Sequence, residues 1–194
     1  WPAKAVVPAG CVLLGLQATA NPFLFCGSYG AVAQLDLPER VAALRAPERK
    51  RRILAEHAEI TAGLEPGIFQ QIMCGFDITF EMADPVDYEL HTDRSIGARA
   101  RALGSEPSSM VYDLLLERGG EQLLYLPLFN FAHGDFGDLY EMITSPNVLF
   151  GLSDAGAHCG AICDASMTTS SFVVWSRDRR DGEPVPVEQI VHGH

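Results

Sequence analysis

The second half of the chain carries two continuous apolar runs, LLYLPLFNF at 123–131 and NVLFGL at 147–152. Each empties into a loop rich in glycine, histidine and aspartate. An apolar run without alternation offers no face to water, so a strand made of it must be covered on both sides. Helix signals lie between and after the runs, DLYEMI at 138–143 and TTSSFVVWSRDR beyond the second. From residue 94 onward the order reads helix, helix, strand, helix, strand, helix. Alternation of that kind predicts an α/β fold with parallel strands. In such folds chemistry collects in the loops at the C-terminal ends of the strands.

The upstream half is read from its punctuation. The apolar run 5–16, broken by Pro8 and two glycines, suits buried extended chain, and 17–37 reads as loop. Pro38 and Pro47 each open a helix, the second carrying the one strongly basic run, ERKRRILAEHAEI, as a solvated face. His57 in that run and His91 further on are assigned to the surface. Residues 69–84 read as extended, with Ile78 and Phe80 alternating against Thr79 and Glu81. Two helices follow, TDRSIGARARALG stopped by Gly104 and SSMVYDLLLERGG stopped by Gly119-Gly120.

Charge narrows the function classes. With Lys+Arg 14 against Asp+Glu 25 the net charge is −11, which argues against nucleic acid and against anionic membrane surfaces as partners. The five cysteines lack CxxC spacing, so no disulfide framework is expected and a cytoplasmic location is. No apolar run approaches the roughly 18 residues of a membrane span, and no secretory leader is evident. The start at Trp1 and the close in VPVEQIVHGH lead us to expect a chain cut from something longer.

The two loops hold the candidate chemistry. FNFAHGDFGD supplies His133 and Asp135; GLSDAGAHCGAICD supplies Ser153, Asp154, Gly156, His158, Cys159, Cys163 and Asp164. A serine nucleophile at Ser153 would want G-x-S-x-G, and here the glycines flank wrongly. A cysteine nucleophile at Cys159 or Cys163 has His158 close in sequence, but adjacent residues point apart. A structural zinc site from Cys159, Cys163 and His158 lacks a second ligand pair at the usual spacing. Asp154 at a strand end suits a general base beside a catalytic metal, whose bound water loses its proton near neutrality. It suits equally a turn cap through Gly156. The residues alone leave both readings open.

The stretch VLFGLSDAGAHCGAICDAS resembles the strand-8 motif of the metal-dependent amidohydrolase superfamily, in particular the D-aminoacylase (N-acyl-D-amino-acid deacylase) branch. The likeness extends to LLGLQATANPF, to YGAVAQLDLPERVAALRAPERKRRILAE, to NFAHGDFGDLYEMITSPNVLFGLSD and to FVVWSRDR; residues 61–93 are the least distinctive. It implies a (β/α)8 TIM-type barrel carrying zinc, one or two ions, at its C-terminal mouth. Residues 1–194 would then be the C-terminal portion of that barrel, a fragment holding the later strands only. Asp154 falls on the family's strand-8 aspartate, which touches the metal in many members. The implied reaction is hydrolysis of a non-peptide C–N bond in an N-acyl amino acid. Metal-bound water attacks the amide carbonyl, with Asp154 as base and then acid. Ser153, Gly156 and His158 would face the substrate, and Arg94, Arg99 or Arg177 could bind its carboxylate.

The departures define a second expectation. The family's other ligands include an H-x-H pair on the first strand, and the only such triplet here is His192-Gly193-His194. One carboxylate with a histidine falls short of three protein ligands, so this chain alone is expected neither to hold stoichiometric zinc nor to be active. A partial barrel leaves strand edges unpaired, which predicts a homo-oligomer. The alternative is a non-catalytic, barrel-derived association module.

Overall fold

Proline and glycine punctuation sets the helix boundaries in the computed structural model, which describes residues 11–18, 20–84, 86–148 and 167–194. Helix accounts for 53% of these residues and strand for 6%, so the chain is mixed α/β and mostly helical. Two compact units emerge. A helical unit comprises Leu13–Met82 and Thr92–Leu126; a terminal unit is drawn from Trp1–Val12, Ala83–His91 and Pro127–His194.

In the helical unit α1 is a single turn, Gly27–Gly30, inside the segment expected to be loop. Next come α2 (Leu37–Leu44) and α3 (Pro47–Ala62), each with proline in its first turn, where a missing N–H costs nothing. α2 buries Val41 and Leu44, and α3 buries Ile53 and His57, pairs three and four apart that share a face. α5 (Ile96–Ala102) begins at Ser95, whose hydroxyl accepts from the Ala98 N–H at 3.1 Å. That buried cap sits two residues past the Thr/Asp start read from sequence. α6 (Pro107–Leu115) ends in a turn where Arg118, Gly119 and Gly120 all have positive φ. A Cβ on Gly120 would meet Val41 at 2.6 Å and Leu37 at 2.9 Å, so glycine there serves both the turn and a close approach. Tyr112 of α6 donates its hydroxyl to the Leu44 carbonyl at 2.8 Å, joining α6 to the end of α2.

Two expectations for this region need correction. Residues 69–84 are not one extended segment, because α4 occupies Ile68–Cys74 and a 3-10 turn Phe76–Ile78. Met73 and Phe76 are buried at helical rather than alternating spacing. Thr79, read as part of a polar face, is fully buried and satisfied: its hydroxyl donates to the Gly75 carbonyl and its carbonyl accepts from Ile96 N–H, both at 2.8 Å. His57, assigned to the surface, is 3% exposed.

The strands are β1 (Cys11–Leu14), β2 (Phe80–Glu81) and β3 (Leu124–Pro127), in sheet order β1-β3-β2. β2 runs antiparallel to β3, with Phe80 opposite Tyr125 and Glu81 opposite Leu124. Parallel pairing was expected. The second strand of that expectation, 147–152, lies outside the described residues from 149 onward. β3 is buried along its whole length, as a continuous apolar run requires.

The terminal unit contains α7 (Gly137–Thr144), the short α8 (Met167–Ser170) and α9 (Val187–Gly193). After α8 the chain widens into a π-helix over Ser171–Arg177, closed by Asp178 N–H on the Val173 carbonyl at 2.9 Å. Its core is aromatic. Phe131, Phe136 and Trp175 are buried, with edge-on ring contacts at 5.1 Å between the phenylalanines and 6.2 Å between Phe136 and Trp175. Such edge-to-face pairs contribute about 0.5–1.5 kcal/mol beyond the area they bury.

Candidate functional site

The loop leaving β3 holds the first set of expected residues. Asp135 accepts from the Gly137 N–H at 2.8 Å and so stabilises the entry to α7. His133 is exposed and pairs through Nδ1 with Asp138 in the first turn of α7, at 2.8 Å. His133 and Asp135 therefore share a loop but do not converge; each is turned to the start of the same helix.

Close by, the terminal unit forms a solvent-open cavity of about 160 Å³ lined by Glu89, Leu90, His91, Asp135, Phe136, Gly137, Arg179 and Asp181. Its dominant feature is the Arg179–Glu89 ion pair at 2.7 Å, in which both side chains are 6% exposed. The guanidinium also lies over two rings, 4.4 Å from the Tyr140 centroid and 5.1 Å from that of Trp175. A weakly hydrated, planar cation fits that slot where an ammonium would not. Glu89 Oε2 accepts further from the backbone N–H groups of Arg180 and Asp181, at 2.5 and 3.1 Å. His91 Nε2 meets Asp181 at 3.0 Å, and Arg180 pairs with Asp87. The arrangement ties two chain segments together around the cavity.

Sequence reading missed Arg179, Glu89 and Asp181. Their signal was the alternation Asp87, Glu89, His91 in an extended stretch, opposite the charged run Arg179-Arg180-Asp181. The arginines offered for a substrate carboxylate fare differently. Arg177 is exposed and held by Asp178 at 2.6 and 2.7 Å; that hydrogen-bonded contact raises the Arg177 pKa and lowers that of Asp178. Arg99 pairs with Glu81 at 2.9 Å in the helical unit, and Arg94 sits in a 3-10 turn before α5. Ser153, Asp154, Gly156, His158, Cys159, Cys163 and Asp164 lie outside the described residues.

Two further groups in the helical unit are perturbed by burial. His57 places Nε2 2.9 Å from the Met73 carbonyl, between Phe23 at 5.1 Å and Phe76 at 6.2 Å. Desolvation lowers its pKa, only partly offset by the Met73 contact. A neutral ring donating to a helix carbonyl is a structural role. Burial pushes the Cys26 thiol up to about 11, with Glu56 adding to the shift, and raises Cys74 as well. Among the described residues, neither Cys26 nor Cys74 is an activated nucleophile.

A catalytic zinc needs about three converging protein ligands. Among the described residues no three His, Cys, Asp or Glu side chains converge in that way, so these residues do not fit a zinc centre. No helix among the described residues is long and apolar enough to cross a membrane. No family model, no curated protein and no solved structure matches the chain.

Proposed function

We propose that the chain is the C-terminal portion of a cytoplasmic, zinc-dependent amidohydrolase of the D-aminoacylase type, whose substrate is an N-acyl amino acid or related amide. The observation that carries the reading is the block at 148–166, VLFGLSDAGAHCGAICDAS, an apolar strand candidate ending in aspartate, glycines and histidine. The passage from β3 through a His- and Asp-bearing loop into α7 is the kind of strand–loop–helix unit that a partial (β/α)8 barrel repeats. Since the described residues do not fit a metal, no step is assigned to it. Asp154 is the residue that takes a proton from the attacking water and returns one to the departing amine nitrogen, a general base becoming a general acid. Carboxylate and free amine are the products.

The test uses the full-length protein containing this sequence, assayed for release of free amine from N-acetyl-D-methionine. Asp154→Asn should lower turnover by roughly 100- to 10,000-fold, the usual loss for a general base, and leave the far-UV spectrum intact. Unchanged turnover in that variant, or no hydrolysis of any N-acyl amino acid, would sink the reading. The chain alone should carry less than one equivalent of zinc.

One observation favours a second reading, a non-catalytic association module. Leu24, Phe25, Ile68 and Phe69 are all exposed, and the two phenylalanine rings sit 5.6 Å apart at the surface of the helical unit. Under that reading no N-acyl amino acid is hydrolysed, and Phe25→Ser/Phe69→Ser converts a homo-oligomer to a smaller species by light scattering. An unchanged mass in that variant would remove the second reading.

A further inference from the structure

Residues 83–91 belong to the terminal unit, whereas the chain immediately before and after them belongs to the helical unit. Residues 86–91 are in neither helix nor strand. Their side chains alternate as those of an extended chain must: Tyr88 and Leu90 are buried, while Asp87, Glu89 and His91 meet the turn 179–181. Those three contacts are unequal. The pairs Arg180–Asp87 and His91–Asp181 involve exposed partners and contribute little. Glu89 is different, since one buried carboxylate takes the Arg179 guanidinium and two backbone N–H groups. Removing one member of a buried pair strands the other, which is far more costly than losing a surface pair. Arg179, held over Tyr140 and Trp175, is the fixed side of this contact. Glu89, Leu90 and His91 also form one wall of the cavity whose other residues include Asp135, Phe136 and Gly137.

We infer that residues 86–91 are a strap latched along one wall of this cavity by the Glu89–Arg179 contact, and that breaking the contact opens the strap locally. A segment outside helix and strand, with a buried charge pair among the contacts that hold it, opens as its own unit rather than with the surrounding core. Leu90 and Tyr88 leave their buried positions in the same movement, so opening also exposes apolar surface. The inference stands on ion-pair geometry and does not depend on the hydrolase reading.

Amide hydrogen exchange on the whole chain tests it. In the unaltered protein, exchange at 86–91 should respond less to denaturant than exchange in α9, because less surface opens. Glu89→Gln should accelerate exchange at 86–91 by at least roughly tenfold while α9 and α6 keep their rates. Arg180→Gln, which breaks only an exposed pair, should change strap exchange by less than about threefold. The strap reading is overturned by equal denaturant dependence of strap and α9. It is overturned too by uniform acceleration of the terminal unit in Glu89→Gln, or by unchanged exchange at 86–91. Failure of Glu89→Gln to fold would equally refute it, since the pair would then support the whole unit.

Discussion

Replacing His57 by phenylalanine separates two contributions of one buried ring. The ring lies between Phe23 and Phe76, and Nε2 supplies a hydrogen bond to the Met73 carbonyl at 2.9 Å. Phenylalanine keeps the first contribution and removes the second. A buried acceptor deprived of its donor costs about 1–3 kcal/mol, so His57→Phe should be less stable by that amount at neutral pH. The pH dependence sharpens the test. Burial lowers the His57 pKa from its ordinary 6.5, so the unfolded chain binds a proton more readily than the folded one. Stability from this group is complete above the unfolded value and is lost as pH falls from there toward the folded value. One proton limits the slope to about 1.4 kcal/mol per pH unit. Glu56 and Asp178, whose pKa values are lowered from 4.5 and 3.8, act only at more acidic pH. Urea unfolding followed by far-UV circular dichroism, at about pH 7.5, 6.5 and 5.5, should show the wild-type advantage shrinking with acid. A gap that stays constant or widens would mean that His57 is not held neutral, and the burial argument would fail.

A second prediction concerns Gly97, at the start of α5. A Cβ there meets the Asp77 carboxylate, the Phe76 carbonyl at 3.0 Å and the Asp77 Cα at 3.1 Å. Alanine normally favours a helix over glycine, but here backbone must move, and overpacking of this kind costs about 1–3 kcal/mol. Gly97→Ala should therefore unfold at lower urea, whereas Gly63→Ala, with nothing within 4 Å, should not; equal midpoints would refute the close approach. A third follows from the buried Cys26 thiol, whose pKa is pushed up to about 11. Native protein treated with iodoacetamide near pH 8 should leave Cys26 unmodified by peptide mass spectrometry until denaturant is added. Prompt labelling in the native state would contradict its burial.

The helix boundaries were legible because their causes are local. Pro38 and Pro47 fix first turns, Gly104 and the Gly119-Gly120 pair stop helices through positive φ, and the spacing of Val41 with Leu44 marks a buried face. β3 was legible for a related reason, since an unbroken apolar run states its own burial on both sides. Failure came where local signals compete. Residues 69–84 read as extended from the alternation at 78–81, yet Met73 and Phe76 pack at helical spacing against the rest of the unit. The antiparallel partner of β2 lies more than forty residues away, at Tyr125 and Leu124, and no nearby residue encodes that direction.

The same division runs through the site. The Asp154 block lies outside the described residues; within them, sequence alone placed His133 and Asp135 in the loop that follows β3, because a loop is a property of neighbours in the chain. It could not say that Asp135 would support α7 or that His133 would pair with Asp138. Nor could it join Glu89 to Arg179, ninety residues apart. Solvation is the reason: an isolated charge reads as surface, and only tertiary packing supplies the partner and the rings that make its burial affordable. His57 moved from presumed surface to core on the same account, once Phe23, Phe76 and the Met73 carbonyl closed around it. Local chain chemistry determined where helices start and stop; the contacts between distant segments decided which polar groups the fold keeps inside.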